Sequence, residues 1–152
     1  MYKTNPLVNI YRHAHLTKYI LEHLCVLKPT GGCTPWGKLL HLTEEEMRTK
    51  GLQIVLADLE EFESRDSDDG AETNGVTPGA KKARKMLRDY WSVWVATRPG
   101  PALEITPLLE TGRDSAVEYP EGRAIIRLPC SSEKFFKTLN RAFDKCCVLG
   151  GR

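Results

Sequence analysis

Residues 5–27 read NPLVNIYRHAHLTKYILEHLCVL, and the period assigned to them decides the fold. Leu7, Ile10, Tyr11, Ala14, Leu21, Leu24 and Cys25 recur at three- and four-residue steps, the spacing of one face of an α-helix. Asn5 offers a capping side chain, and Pro6 suits the first helical position. Leu16, Ile20 and Leu27 fall on the opposite side, so a helix here would be covered on two sides. Lys28-Pro29-Thr30-Gly31-Gly32 then ends the pattern. The stretch is therefore expected to be an N-terminal helix ending near Leu27.

Working outward, Thr43 followed by Glu44, Glu45 and Glu46 forms a capping box, with carboxylates where the helix dipole favours them. This second helix runs through Met47, Ile54, Val55, Leu59 and Phe62, and whether Gly51 breaks it is open. Residues 64–77, SRDSDDGAETNGVT, contain almost nothing a core could use and are expected to form an exposed flexible loop. Thr77-Pro78 opens a third expected helix, GAKKARKMLRDY. The period then changes. Residues 91–97, 102–109, 116–119 and 123–128 are short and rich in β-formers, separated by the turn sequences RPGP, ETGRDS and YPEG. Such short connections suit antiparallel hairpins. After Pro129, Ser131 or Ser132 caps a last helix whose Phe135, Phe136, Leu139, Ala142, Phe143 and Cys146 share one face. The expected fold is α+β: N-terminal helices packed on a small antiparallel β-meander and closed by a C-terminal amphipathic helix. All 152 residues form a single domain in this reading.

A chain of this length can bury about 70% of the surface its unfolded form exposes. With 22 basic and 20 acidic residues and a formal net charge of +2, it has no global field to attract nucleic acid or membrane. No run approaches the roughly 18 apolar residues of a membrane span. The first residues lack the apolar core of a secretory signal, and five cysteines is an odd count. Both point to reduced thiols in the cytoplasm.

Several stretches invite a chemical reading. Gly32, Gly37 and Lys38 match G-x-x-x-x-G-K, but Leu39 replaces the hydroxyl that would hold a magnesium ion. Pro35 also removes one N–H from the cradle, and Trp36 is bulky within it. Nucleotide binding is disfavoured on those grounds, as is an apolar strand over Gln53 to Asp58, which an amphipathic helix yields as easily. Cys25, Cys33 and His41 are spaced by eight and eight, unlike the tight pairs of zinc sites, and their joining in a metal site is left open. Cys130, just before a helix N-terminus, is the best-placed thiol for activation, but no partner histidine is evident. The expectation is a chain without catalytic residues, cofactor or metal.

Charge is more informative. Residues 60–72 carry Glu60, Glu61, Glu63, Asp66, Asp68, Asp69 and Glu72 against Arg65 alone. Residues 81–88 carry Lys81, Lys82, Arg84, Lys85 and Arg88 with no acid. A basic helix beside Tyr90, Trp91 and Trp94 could grip phosphates and stack bases, which makes a nucleic-acid-binding regulator the alternative function. The adjacent acidic run would repel nucleic acid, whereas segregated charge on a nearly neutral protein serves to steer a protein partner. The final third, WSVWVATRPGPALEITPLLE (91–110) and EGRAIIRLPCSSEKFFKTLNRAF (121–143), resembles the ending of some bacterial toxin-immunity proteins, including those of contact-dependent growth inhibition. There too a β-meander closes with a strand ending in Leu-Pro and a short capped helix. The resemblance is one of layout over roughly 60 residues. It implies non-covalent neutralisation of a partner toxin and carries over no binding residues. The partner-binding candidates are Glu60, Glu61, Glu63, Asp66, Asp68 and Asp69, followed by the 81–88 bases.

Overall fold

The computed structural model describes residues 5–29, 31, 33–35, 39–66, 88–112 and 115–149. Its first element corrects the sequence reading. The 7–27 stretch is extended, as strands β1 (Leu7–His13), β2 (Lys18–Glu22) and β3 (Leu24–Leu27). Pro6, expected to open a helix, accepts the Thr97 amide at 3.0 Å on the way into β1. The helical spacing was a coincidence of double burial. In β2, paired with β1 on one side and β5 (Leu40–Thr43) on the other, Tyr19, Ile20, Leu21 and Glu22 are all buried, so both of its faces are covered and its apolar residues fit more than one period. The β1–β2 turn contains neither Gly nor Pro. It is held instead by His13, whose Nδ1 accepts the amides of His15 at 3.0 Å and Leu16 at 3.1 Å.

The remaining strands are β4 (Cys33–Pro35), β6 (Ser64–Arg65), β7 (Tyr90–Arg98), β8 (Ala102–Gly112), β9 (Ser115–Glu118) and β10 (Ala124–Arg127). A seven-stranded sheet has the order β10-β8-β7-β1-β2-β5, with β9 pairing the far part of β8, and all its ladders are antiparallel. The expected meander is thus present, but the N-terminal strands complete a larger sheet. Gly100 turns β7 into β8 at φ +142°, a conformation that side chains other than glycine rarely adopt. A smaller sheet, β4-β3-β6, contains one parallel pair, β3 with β6.

Helices α1 (Glu44–Glu60) and α2 (Ser132–Leu149) cover one face of the large sheet. Val8, Ile10, Tyr19, Leu21, Trp91, Val93, Val95, Leu103, Ile105 and Ile126 meet Met47, Val55 and Leu59 of α1 and Phe135, Leu139, Phe143 and Cys146 of α2. The alternation along each strand sends Asn9, Tyr11, Ile20, Glu22, Ser92 and Trp94 to the opposite face. The capping box forms as read: the Thr43 hydroxyl accepts the Glu46 amide at 3.1 Å, and the Glu46 carboxylate accepts the Thr43 amide at 3.0 Å. Gly51 does not interrupt α1 but is buried within it. Ser131 caps α2 by accepting the Lys134 amide at 3.0 Å.

Ser64 and Arg65, the first residues of the expected loop, belong to β6, and residues 67–77 lie outside the described residues. So do residues 78–87 of the expected third helix. Arg88 and Asp89 form a turn, and Tyr90 begins β7. No helix among the described residues is long and apolar enough to cross a membrane.

Candidate protein-docking surface

Four of the predicted acids converge at one end of the helical layer. Glu60 is the last residue of α1, and Glu61 is its C-cap, donating its amide to the Asp58 carbonyl at 3.1 Å. Glu63 and Asp66 flank β6, which pairs β3 in parallel, and hydrogen bonds at both ends of the ladder tie it down. Val26 N–H donates to Glu63 O at 3.0 Å, and Lys28 N–H donates to Arg65 O at 2.9 Å. The acids thus sit on a paired strand and a helix end rather than on a loose loop. Glu63 pairs with Arg65, and Asp66 with Lys28 at 3.3 Å, all at the surface. Glu60 and Glu61 make no ion pair among the described residues. No basic residue occupies the last turn of α1, so these carboxylates face the negative end of the helix dipole. Asp68, Asp69, Lys81, Lys82, Arg84 and Lys85 lie outside the described residues, and Arg88 is exposed in the turn before β7.

Beneath this surface is a pair that sequence reasoning missed. His23, between β2 and β3, holds its Nδ1 2.9 Å from Asp58 Oδ1, and both side chains are largely buried. The hydrogen bond to Asp58 raises the His23 pKa. Burial opposes that rise, and the charges of Asp58, Glu61 and Glu63 reinforce it. Among the described residues, Asp58 Oδ2 is buried without a hydrogen-bond partner. The pair joins residues 35 positions apart, and nothing local in the sequence announces it.

On the sheet face away from the helices, Glu22 is 7% exposed. Its Oε1 accepts the Tyr11 hydroxyl at 3.0 Å and the Asn9 amide at 3.3 Å, while the Ser92 hydroxyl donates to Asn9 Oδ1 at 2.6 Å. Burial raises the Glu22 pKa, with the Tyr11 and Asn9 hydrogen bonds pulling the other way. Burial, then the Glu22 charge, holds Tyr11 far above the ordinary phenol range. Further along this face, Glu104 binds Arg98 and, at 2.7 Å, Arg123. The Arg98 hydrogen bond, aided by Arg123, holds Glu104 below its ordinary value against the effect of burial. In both clusters the donors and acceptors already engage one another.

The other predicted features fall apart as chemistry. Cys33 to Pro35, the middle of the glycine-rich stretch, is strand β4 antiparallel to β3, where a phosphate cradle needs a loop entering a helix. Gly32 and residues 36–38 lie outside the described residues. Gln53 to Asp58 is part of α1. Cys25 and Cys33 lie on neighbouring strands, while His41 is on β5 in the other sheet. Burial pushes the Cys25, Cys33 and Cys130 thiols up, which at Cys130 outweighs the nearby Lys134. On α2, a shallow cavity of about 360 Å³ is lined by Ser131, Glu133, Lys134, Lys137, Thr138 and Arg141. Lys137 is paired with Glu133 at 3.0 Å, which leaves Lys134 and Arg141 as its uncommitted cations among the described residues.

No protein-family model matches this chain, and no curated protein matches its sequence. Among solved structures, it is similar to a protein of unknown function from Neisseria meningitidis, NMB0488. The match has 16% identity and a TM-score of 0.65, and it covers 96% of this chain and 99% of that one. At that identity the likeness is one of fold.

Proposed function

We propose that this chain is a non-catalytic protein-binding module of the toxin-immunity kind, which docks a basic partner through the acidic end of α1. The observation that carries the reading is the placement of Glu60 and Glu61. Among the described residues these two carboxylates have no ion pair and oppose the dipole at a helix C-terminus, with Glu61 offset in part by the His23 charge. Residues that break a local rule without a compensating contact are characteristic of functional surfaces. Glu63 and Asp66, on either side of β6, extend the surface, and together the four acids would speed encounter with a cationic toxin domain and orient it. Residence in the cytoplasm, where an incoming toxin would act, belongs to the same proposal.

Immobilised protein should capture one stoichiometric protein from an extract of the source cells at low salt and release it as salt rises. The Glu60→Lys, Glu61→Lys, Glu63→Lys variant should lose it. Equal capture by the variant would refute the surface, and retention on DNA with a steep salt dependence would favour the nucleic-acid alternative.

A further inference from the structure

We infer that the His23–Asp58 pair is a proton-dependent clasp that fastens the acidic end of α1 and strand β6 to the β2–β3 junction. The geometry places it at a joint between the end of α1 and the β2–β3 junction, beneath the docking surface. Asp58 stands on the last turn of α1, and His23 lies where the chain leaves the large sheet for the small one. β6 is two residues long and pairs β3 in parallel, with the Val26 and Lys28 amides bonded at the two ends of that short ladder. When His23 is protonated, its charge offsets Asp58, Glu61 and Glu63 together. Arg65 is engaged with Glu63, and Lys28 with Asp66 at the far end of β6. When His23 is neutral, Asp58 remains a buried carboxylate beside two further acids with a weaker partner, and the joint opens more often.

The sign follows from the raised pKa. The clasp is fully closed below the ordinary histidine value of 6.5 and loosens as pH rises through the higher folded value. Its consequence for docking rests on the proposed function, but the clasp itself does not.

The test is amide hydrogen exchange at Val26 and Lys28 across pH, corrected for intrinsic base catalysis, alongside NMR titration of the His23 ring in the free protein. Protection should fall by up to about tenfold for each pH unit by which the folded pKa exceeds 6.5. In His23→Gln the fall should be absent, and in Asp58→Asn the His23 pKa should drop. A wild-type His23 that titrates at or below 6.5 would overturn the clasp, as would protection at both amides indifferent to the titration. Both are readable without any variant folding. No partner enters these measurements, so a failed clasp leaves the docking surface standing, and a failed capture leaves the clasp standing.

Discussion

Glu22 stands where a carboxylate is costly, on a buried sheet face with a phenol and an amide as partners. Because burial raises its pKa, the charged form weakens the fold at neutral pH, and the effect vanishes once the group is protonated in both folded and unfolded chains. Glu22→Gln keeps an oxygen to accept from Tyr11 and Asn9 and removes the charge. It should therefore raise the urea midpoint at pH 7, and the gain should disappear below about pH 4.5, the ordinary glutamate value. Glu104 is the opposite case. Its pKa is depressed, so its stabilisation is present above the ordinary value and is lost as pH falls through the lower folded one. Both arginines are partly exposed and screened, so Glu104→Gln should cost about 1–2 kcal/mol at pH 7 by urea denaturation, less than for a fully buried pair. The two isosteric substitutions should shift stability in opposite directions. The same direction for both would show that these hydrogen-bond networks are misassigned.

At the scale of elements, α1 depends on a residue that helices usually avoid. A Cβ added at Gly51 would lie 2.6 Å from Met47 Sδ and 3.8 Å from Phe135 on α2, and Met47 is itself fully buried. Glycine there makes room for the buried Met47 side chain one turn back on the same helix. Alanine would gain about 1 kcal/mol of helix propensity against this crowding, whereas Gly51→Val should lose about 2–3 kcal/mol through overpacking. Chemical denaturation with circular dichroism would check it, and a neutral valine would mean that the core gives way around Met47. The other end of α1 predicts the reverse. Glu60→Lys should raise the thermal midpoint at low salt, by the equivalent of about 0.3–1 kcal/mol, because it replaces an unfavourable charge at the dipole with a favourable one. A fall in the midpoint would make this acid structural and remove the argument for docking. The misreading of 7–27 also belongs at this scale. A strand buried on both faces, as β2 is, satisfies a helical spacing as readily as an alternating one. Its hairpin turn is closed by a histidine ring instead of the glycine or proline that marks such turns in sequence.

For the whole molecule, the two helices on one face of an antiparallel sheet bring together what the chain keeps apart. Strands β7 to β10 and helix α2 were legible because turn residues separate short β-rich runs and a single apolar stripe marks the helix. The capping box of α1 was legible because it is local, with its hydroxyl and carboxylate three residues apart. The clustering of acids at 60–66 was likewise visible as composition. What composition does not contain is a frame: that β6 fixes Glu63 and Asp66 beside the end of α1 follows only from pairing with β3. The same holds for His23 with Asp58 and for Glu22 with Tyr11, Asn9 and Ser92, whose members become neighbours through strand register and helix docking. Sequence alone thus determined the α+β class, the meander, the closing helix and the exposed acids at 60–66, since each rests on interactions within a few residues. Tertiary structure decided that the N-terminal third is sheet, which groups are buried with a charge, and which acids share a surface. Those depend on burial and long-range pairing, which no local period records.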